Sequence, residues 1–171
     1  MKNKTKITYS ANFNKAFQSL IMLEGCYSND ALDNGKETKY GITKRDYPHL
    51  DIKELSIDQA KEIYHRDYWI VNQYNKIRSI KIAEKVFHMT VNAGSRQSHL
   101  ILQRALHAVE HQTLVEDGIL GSITIEATNK ANPRYLLPAL RSELAGFYRL
   151  IIATRPSQGK FKNGWLKRAY S

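Results

Sequence analysis

The spacing of apolar residues constrains the fold of this chain more than any other feature. Phe13, Phe17, Leu20 and Ile21 recur at intervals that place all four on one face of an α-helix. Apolar residues repeat in the same way over residues 60–68, 82–91, 102–109, 137–151 and 161–169. A chain in which nearly every apolar stretch has this period is predicted to be mostly helical.

Local signals predict where these helices begin and end. Ser56 and Gln59 have the spacing of a capping box, in which each side chain bonds the other residue's backbone N–H at a helix start. Gly94 is suited to end the helix before it, Ser95 to cap the next one, and Pro133 to open the long helix that follows.

Residues 25–44 break the helical pattern. They are rich in Gly, Asn, Asp and Thr, and Tyr40 and Ile42 alternate as they would in a strand. We predict a loop or a small β-hairpin directly after the first helix, in a fold that is otherwise helical.

Length and composition limit the class of protein. With 171 residues, of which 42% are hydrophobic and 25% charged, the chain has enough apolar surface for a core. Cys26 is the one cysteine, which excludes an internal disulfide. No apolar run approaches the ~20 residues that span a bilayer, and the N-terminal lysines precede no apolar signal segment. We therefore expect no integral membrane segment and synthesis in the cytoplasm.

The net charge of +10 is concentrated in the last third of the chain. Residues 127–171 hold nine basic side chains against the single acid Glu143, whereas residues 1–126 are nearly balanced. A basic region of this kind suits a polyanion, whether nucleic acid, anionic lipid or a bacterial cell wall. Charge alone does not choose among these partners, and a solvated basic face without a partner has the same composition.

Glu24 is the strongest candidate for a catalytic residue. It follows Phe13 by eleven residues, which returns to nearly the same azimuth of a helix, so its carboxyl group extends the apolar stripe. Gly25 is a natural helix end directly after it. Burial and the negative end of the helix dipole both raise the pKa of a carboxyl group, as the general acid of a glycosidase requires. The alternative is a solvated glutamate that happens to end a helix.

The loop after Glu24 offers partners for catalysis. Asp33 lies nine residues after it and Asp30 six, and a second carboxylate can orient a water molecule or act as nucleophile. Thr38 and Tyr40 can hold that water or a sugar hydroxyl. All four are also ordinary residues of turns and hairpins, so these roles stay open.

Other reactive groups do not form a convincing site. His107 and His111 have the i,i+4 spacing of a zinc pair, but no HExxH pattern or third ligand accompanies them. Cys26 has no histidine near it in sequence to activate it as a nucleophile. We expect no metal and no cofactor.

Several motifs follow one another along the chain. They are Glu24-Gly25-Cys26-Tyr27, Lys36-Glu37-Thr38-Lys39-Tyr40-Gly41-Ile42-Thr43, the stretch 60–69, Val91-Asn92-Ala93-Gly94, Leu102-Gln103-Arg104-Ala105-Leu106, Asp117-Gly118-Ile119-Leu120-Gly121, Tyr148-Arg149-Leu150 and Gly164-Trp165-Leu166-Lys167-Arg168. In this order and spacing, the chain resembles glycoside hydrolase family 108. That family comprises the lysozyme-like N-acetylmuramidases of phage endolysins and bacterial secretion activators, with a C-terminal peptidoglycan-binding module.

The resemblance implies a lysozyme-like fold and a peptidoglycan hydrolase that cleaves the β-1,4 bond between N-acetylmuramic acid and N-acetylglucosamine. By it, Glu24 is the catalytic acid. From their place in the loop that follows, we expect Asp33 and Thr38 to assist. Cys26 and Lys36 stand where the family typically has glycine. Either side chain can narrow the cleft or stiffen the loop, but neither removes the acid.

The same resemblance suggests substrate contacts and a division of the chain. The expected substrate-binding residues are Tyr40, Thr43, Tyr64 and Asn92, although Tyr64 also fits a place in the core. Residues 1–93 are expected to form the catalytic region and residues 94–171 the peptidoglycan-binding region, packed into one compact unit. A monomer suffices for this function.

Two other classes of function compete with this interpretation. A binding module without catalysis would recognise peptidoglycan, and a nucleic-acid-binding protein would use the basic charge. The retained Glu24 disfavours the first, and the absence of an arginine-rich recognition helix disfavours the second. An endolysin and a secretion-associated muramidase would look alike, and each would reach the periplasm or wall through a holin-type or dedicated export route.

Overall fold

The computed structural model describes residues 8–24, 28–29, 37–110 and 114–171, with the backbone alone for residues 23, 24, 28, 29 and 110. The chain forms two compact units, Met1–Val71 and Asn72–Ser171. Both consist mainly of helices, and the small sheet belongs to the first, so the predicted mostly helical class is confirmed. Among the described residues, no helix is long and apolar enough to cross a membrane.

The first unit begins with the helix α1, Ala11–Glu24, whose apolar stripe forms much of its core. Phe13 and Leu20 are fully buried and Phe17 is nearly so, while Ile21 is half-buried. The helical spacing of the sequence therefore predicted the buried face of α1 correctly. The burial of this face fixes how the helix is rotated about its axis, and hence which face carries its last residue.

The second helical segment starts as predicted and then departs from α-helical geometry. Ser56 caps α2, Ile57–Ile63, in a capping box with Gln59. A π-helix, Tyr64–Ile70, follows directly. The wider turn of a π-helix brings residues five apart onto one face, and accordingly Tyr64 and Trp69 are both buried. The predicted α-helical continuation to Tyr68 is wrong for this reason.

A three-stranded antiparallel sheet lies between α1 and α2 in the sequence. Its strands are β1, Ser28–Asn29, β2, Glu37–Lys39, and β3, Ile42–Thr43, in the order β1-β2-β3. The predicted hairpin is therefore present as β2–β3. Tyr40, expected in a strand, lies instead in the two-residue turn with Gly41, where both residues have positive φ, 54° and 77°. Positive φ at both positions is the geometry that matches the twist of a tight hairpin.

The second unit contains the remaining helices. They are a 3₁₀ turn at Tyr74–Lys76, α3 at Ile80–Ala93, α4 at Ser95–Glu110, α5 at Ser122–Lys130, α6 at Pro133–Thr154, a 3₁₀ helix at Pro156–Phe161 and α7 at Lys162–Tyr170. The helix α6 packs against α3, α4 and α7. Pro133 takes the first position of α6, as predicted, with Asn132 as its cap.

Gly94 serves both helices that meet at it. With φ of 80° it ends α3, as predicted. Its carbonyl also accepts the first hydrogen bond of α4, from the backbone N–H of Ser98 at 3.1 Å. Ser95 is already the first residue of α4, so the predicted cap lies one residue too far along the chain.

A buried chain of hydrogen bonds joins four segments of the second unit. His99 Nδ1 lies 3.1 Å from the carbonyl of Gly118, and its Nε2 lies 3.0 Å from the hydroxyl of Tyr74, which also meets Thr90 Oγ1. A carbonyl can only accept, so Nδ1 carries a hydrogen and Nε2 of the neutral ring accepts from Tyr74. Burial lowers the pKa of His99 from its ordinary value of 6.5, which keeps the ring neutral.

We expect the second unit to lose stability in mild acid because of His99. Below pH 6.5 the unfolded chain binds a proton that the folded imidazole resists, so the free energy of unfolding falls as the pH drops through this range. Urea denaturation at pH 7.5 and 5.5 measures this loss. It should be smaller in His99→Gln than in the wild type, and unchanged in the exposed control His49→Gln. An equal loss in all three proteins would contradict the assignment.

Candidate active site

Glu24 is the last residue of α1, as the sequence predicted. Ser28, the first residue of β1, follows four residues later, so the two Cα atoms are at most ~15 Å apart along the chain. The end of α1 therefore lies within ~15 Å of the first residue of the sheet. The side chain of Glu24, and Asp30 and Asp33 as whole residues, lie outside what the structure describes. Their pairing in catalysis stays a prediction.

Thr38 occupies the centre of the sheet, in β2. Its Cα is paired with that of Ser28 on one side and with that of Thr43 on the other. The Oγ1 atom of Thr38 is buried, and no group among the described residues forms a hydrogen bond with it. A buried hydroxyl without a partner is unfavourable, so Thr38 Oγ1 has a hydrogen-bonding capacity that the described residues leave unused.

A buried tyrosine forms a hydrogen bond with the backbone of the β2–β3 turn. Tyr64 is fully buried, and its hydroxyl donates to the backbone carbonyl of Tyr40 at 2.9 Å. The ring of Tyr64 also packs against Phe17 of α1, with centroids 6.0 Å apart. One side chain thus couples the helix that ends in Glu24 to the hairpin. Tyr64 is placed to position the turn, and direct contact with substrate stays a prediction for it.

Tyr40 and Thr43 flank the same turn. The ring of Tyr40 is partly exposed, with the ammonium of Lys39 5.6 Å from its centroid. The hydroxyl of Thr43 donates to Asp46 at 2.8 Å and accepts from the backbone N–H of Asp46 at 3.1 Å. Thr43 therefore closes the turn after β3, while Tyr40 stays partly exposed to solvent.

A polar network beside the π-helix was not foreseen from the sequence. The hydroxyl of Tyr47 donates to Asp67 at 2.9 Å, and the guanidinium of Arg66 contacts both oxygens of that carboxylate at 2.5 and 2.7 Å. Hydrogen bonding from Arg66 lowers the pKa of Asp67, so this carboxylate stays ionised and is unsuited to donate a proton. Burial and Asp67 together raise the pKa of Tyr47. Tyr47 and Asp67 are twenty positions apart, and no local sequence pattern predicts their contact.

Asn92 belongs to the second unit, near the end of α3. Its side chain is exposed and donates to the carbonyl of His88 in its own helix at 2.8 Å. Its predicted contact with substrate stays a prediction. The structure brings together Thr38, Tyr40, Thr43 and Tyr64 around one small sheet of the first unit. Across the described residues, no group of three or more His, Cys, Asp or Glu side chains is arranged to hold a metal ion.

Comparisons with known proteins place these features in a wider context. Residues 17–94 match the profile of a family described as Glycosyl hydrolase 108, and residues 97–170 match one described as Predicted Peptidoglycan domain. The fold is similar to that of SagA from Brucella abortus, at 20% identity and a TM-score of 0.74, over 92% of this chain and 88% of that one. No curated protein matches the chain significantly. The predicted lysozyme-like, mostly helical fold is confirmed.

Proposed function

This chain belongs to the glycosyl hydrolase 108 family of peptidoglycan hydrolases, and we propose that it is an N-acetylmuramidase with Glu24 as its general acid. The bond cleaved is the β-1,4 bond between N-acetylmuramic acid and N-acetylglucosamine, and residues 97–170 help to hold the peptidoglycan. One observation carries this proposal. Glu24 is the last residue of a helix with a buried apolar face, and the chain enters the sheet four residues later.

The geometry of α1 supports Glu24 as the proton donor. Eleven residues separate Phe13 from Glu24, so their Cα atoms lie on nearly the same face of the helix. A carboxyl group on an apolar face, at the negative end of the helix dipole, favours its protonated form. Such a group can protonate the glycosidic oxygen while positive charge develops on the sugar ring.

We assign the water that completes the hydrolysis to a position at the sheet. Thr38 Oγ1 is buried and lacks a partner among the described residues, so it is suited to hold a water or a sugar hydroxyl. Asp33 is the carboxylate that would activate this water or attack the sugar directly. The distance between the two carboxyl groups would decide between inversion and retention of configuration.

Digestion of purified peptidoglycan sacculi tests the proposed reaction. The released fragments are reduced with borohydride and identified by mass. New reducing ends on N-acetylmuramic acid are the expected result. Reducing ends on N-acetylglucosamine would overturn the assignment of the bond. Binding without cleavage of any wall type would favour a peptidoglycan-binding module that lacks catalysis.

We expect Thr38→Val to separate catalysis from stability. Valine has the shape of threonine without the hydroxyl, so a buried polar atom with no partner among the described residues is replaced by a methyl group. The urea midpoint should stay the same or rise, while the rate of sacculus digestion falls by about tenfold, the effect of about one lost hydrogen bond to the reacting groups. Thr43→Val is the contrast, since it loses real bonds to Asp46 and should lower the midpoint. A fully active Thr38→Val would contradict the role.

The cellular setting belongs to this proposal as well. A muramidase of this kind acts in the periplasm or cell wall, either as a phage endolysin released through a holin or as an enzyme that opens the wall for secretion. Both settings use the same bond cleavage. The basic side chains of residues 127–171 would favour the anionic wall in either case, with an affinity that decreases as salt increases.

A further inference from the structure

Two adjoining cavities line one side of the second unit, where the segment before α3 meets α5. Their volumes are about 390 and 470 Å³, and they share Arg78 and Asn129. The first is lined by Gln73, Lys76, Arg78, Ser122, Ile125, Glu126, Asn129 and Lys130, and the second by Arg78, Ser79, Ile80, Lys81, Thr128, Asn129, Ala131 and Pro133. We call the two cavities together the α5 groove. Its size is in the range of sites that bind a small molecule or a short peptide.

The wall of the α5 groove is held in place by Asn129. Its side-chain amide donates to the carbonyl of Lys76 at 2.9 Å, and its side-chain oxygen accepts from the backbone N–H of Arg78 at 2.8 Å. These two bonds fix the segment that precedes α3 against α5. The shape of the groove is therefore set by bonds to the backbone and does not depend on the long cationic side chains around it.

The charges of the groove are almost all positive. It contains the cations Lys76, Arg78, Lys81 and Lys130, and its one acid, Glu126, is paired with Lys130 at 2.6 Å. The ammonium of Lys76 donates to Gln73 at 2.6 Å. The exposed side chains of Arg78 and Lys81 have no charged or hydrogen-bonding partner among the described residues. Two cations remain available for an anionic ligand at the middle and the far end of the groove.

We propose that the α5 groove binds the peptide stems of peptidoglycan. Arg78 and Lys81 would hold carboxylates of the peptide, and apolar side chains such as Ile125 and Pro133 would cover its alanine methyl groups. This inference rests on the proposed function, because it takes peptidoglycan as the ligand. In this proposal the second unit recognises the peptide, whereas Glu24 of the first unit acts on the glycan bond.

The mixed lining of the groove favours a peptide over other wall polyanions. A phosphate polymer would be satisfied by cations alone, whereas this groove also offers apolar contacts and the amide and hydroxyl groups of Gln73 and Ser122. A peptide presents carboxylates, methyl groups and backbone amides at once. A guanidinium such as that of Arg78 pairs with a carboxylate through two parallel hydrogen bonds.

Co-sedimentation of the full chain with intact sacculi at 150 mM salt tests the groove. The double variant Arg78→Gln/Lys81→Gln is compared with Lys15→Gln/Lys53→Gln, which removes the same charge from exposed positions of the first unit, outside the groove and outside the basic residues 127–171. We expect the dissociation constant to rise on the order of tenfold in the groove variant, the loss of about two charge-assisted hydrogen bonds. The first-unit variant should change it less than about twofold, the size of a screened surface-charge effect.

Sacculi stripped of their peptide stems by an amidase identify the ligand. The wild type and the groove variant should bind stripped sacculi with the same dissociation constant. Adding wall phosphate polymer to the stripped sacculi should not make the two dissociation constants differ again. If the groove variant is still the weaker binder on stripped sacculi, or if both double variants weaken binding alike, the peptide assignment is wrong. Cleavage of stripped glycan is scored in parallel. If the wild type cleaves it, the proposed function stands whatever the groove does, and a loss of cleavage on all substrates counts against the function itself.

Discussion

Glu24→Gln is expected to lower the turnover of peptidoglycan by about 10³-fold, within the range that general acid catalysis contributes. Glutamine keeps the size and hydrogen-bonding capacity of the side chain but cannot transfer a proton to the glycosidic oxygen. Binding of sacculi should be little changed, because the substitution alters one group at the end of α1. The rate is measured as reducing ends released from purified sacculi.

A matched control variant tests whether the loss of activity has a cause other than the missing proton donor. Glu54→Gln makes the same chemical change at an exposed position of the first unit, and its activity should stay within about twofold of the wild type, as for surface substitutions in general. Circular dichroism and a urea midpoint establish that Glu24→Gln is folded. A folded Glu24→Gln with wild-type turnover would remove Glu24 from the mechanism. Loss of activity in both variants would point to charge, not to proton transfer.

The sequence predicted those parts of the fold that local patterns encode. The buried face of α1 follows from the period of Phe13, Phe17 and Leu20. The capping box of Ser56 and the proline start of α6 are equally local, because each involves residues three or fewer positions apart. The division into a catalytic region, 1–93, and a binding region, 94–171, is a proposal about function, whereas packing divides the chain after Val71.

Features that depend on distant residues were not predictable. Lys85 is an example, because α3 alone suggests a solvated lysine. In the structure it is buried, and its ammonium donates to the carbonyls of Arg168, Ala169 and Ser171 at 2.7, 2.8 and 3.2 Å, which caps the end of α7. Burial lowers the pKa of Lys85 to about 8. A contact across more than eighty positions leaves no trace in periodicity or spacing.

The candidate site also contains some features that local patterns predicted and others that depend on distant residues. Thr38, Tyr40 and Thr43 all fall within residues 25–44, where the sequence predicted a loop or a small hairpin, and the sheet places them together. The bond from Tyr64 to the Tyr40 carbonyl joins residues 24 positions apart, and the switch to a π-helix sets the face of Tyr64. Neither could be read from an α-helical pattern. Asp33 lies outside the described residues, so its role depends on experiment.

Gly118→Ala is expected to lower the free energy of unfolding of the second unit by about 2–5 kcal/mol. Gly118 has φ of 75°, where a side chain costs about 1–2 kcal/mol. A Cβ at this position would also lie 2.7 Å from the backbone oxygen of Arg96 and 3.3 Å from a side-chain carbon of Leu100. Helix backbone cannot yield as a flexible side chain can, so the loop must move away from α4, at a further cost of about 1–3 kcal/mol.

That movement would break the polar contacts that hold the loop. The backbone N–H of Gly118 donates to the side-chain oxygen of Gln103 at 2.9 Å, and its carbonyl faces the buried His99 ring. A displaced loop leaves these buried groups without partners, which adds to the steric cost. Close approach of backbone to backbone, and not positive φ alone, therefore makes glycine necessary here.

Two other glycines separate these contributions. Gly121→Ala adds a methyl group to the same loop, where the space is open and φ is −81°, and should change the free energy of unfolding by less than about 1 kcal/mol. Gly94→Ala has open space but φ of 80° and ψ of 159°, a region essentially restricted to glycine, so it should show the conformational cost alone, about 1–3 kcal/mol. Urea denaturation of the three variants should rank them Gly118, Gly94, Gly121 from most to least destabilised. If Gly118→Ala and Gly94→Ala lose the same amount, the contact with α4 contributes nothing, and the positive φ accounts for the whole effect.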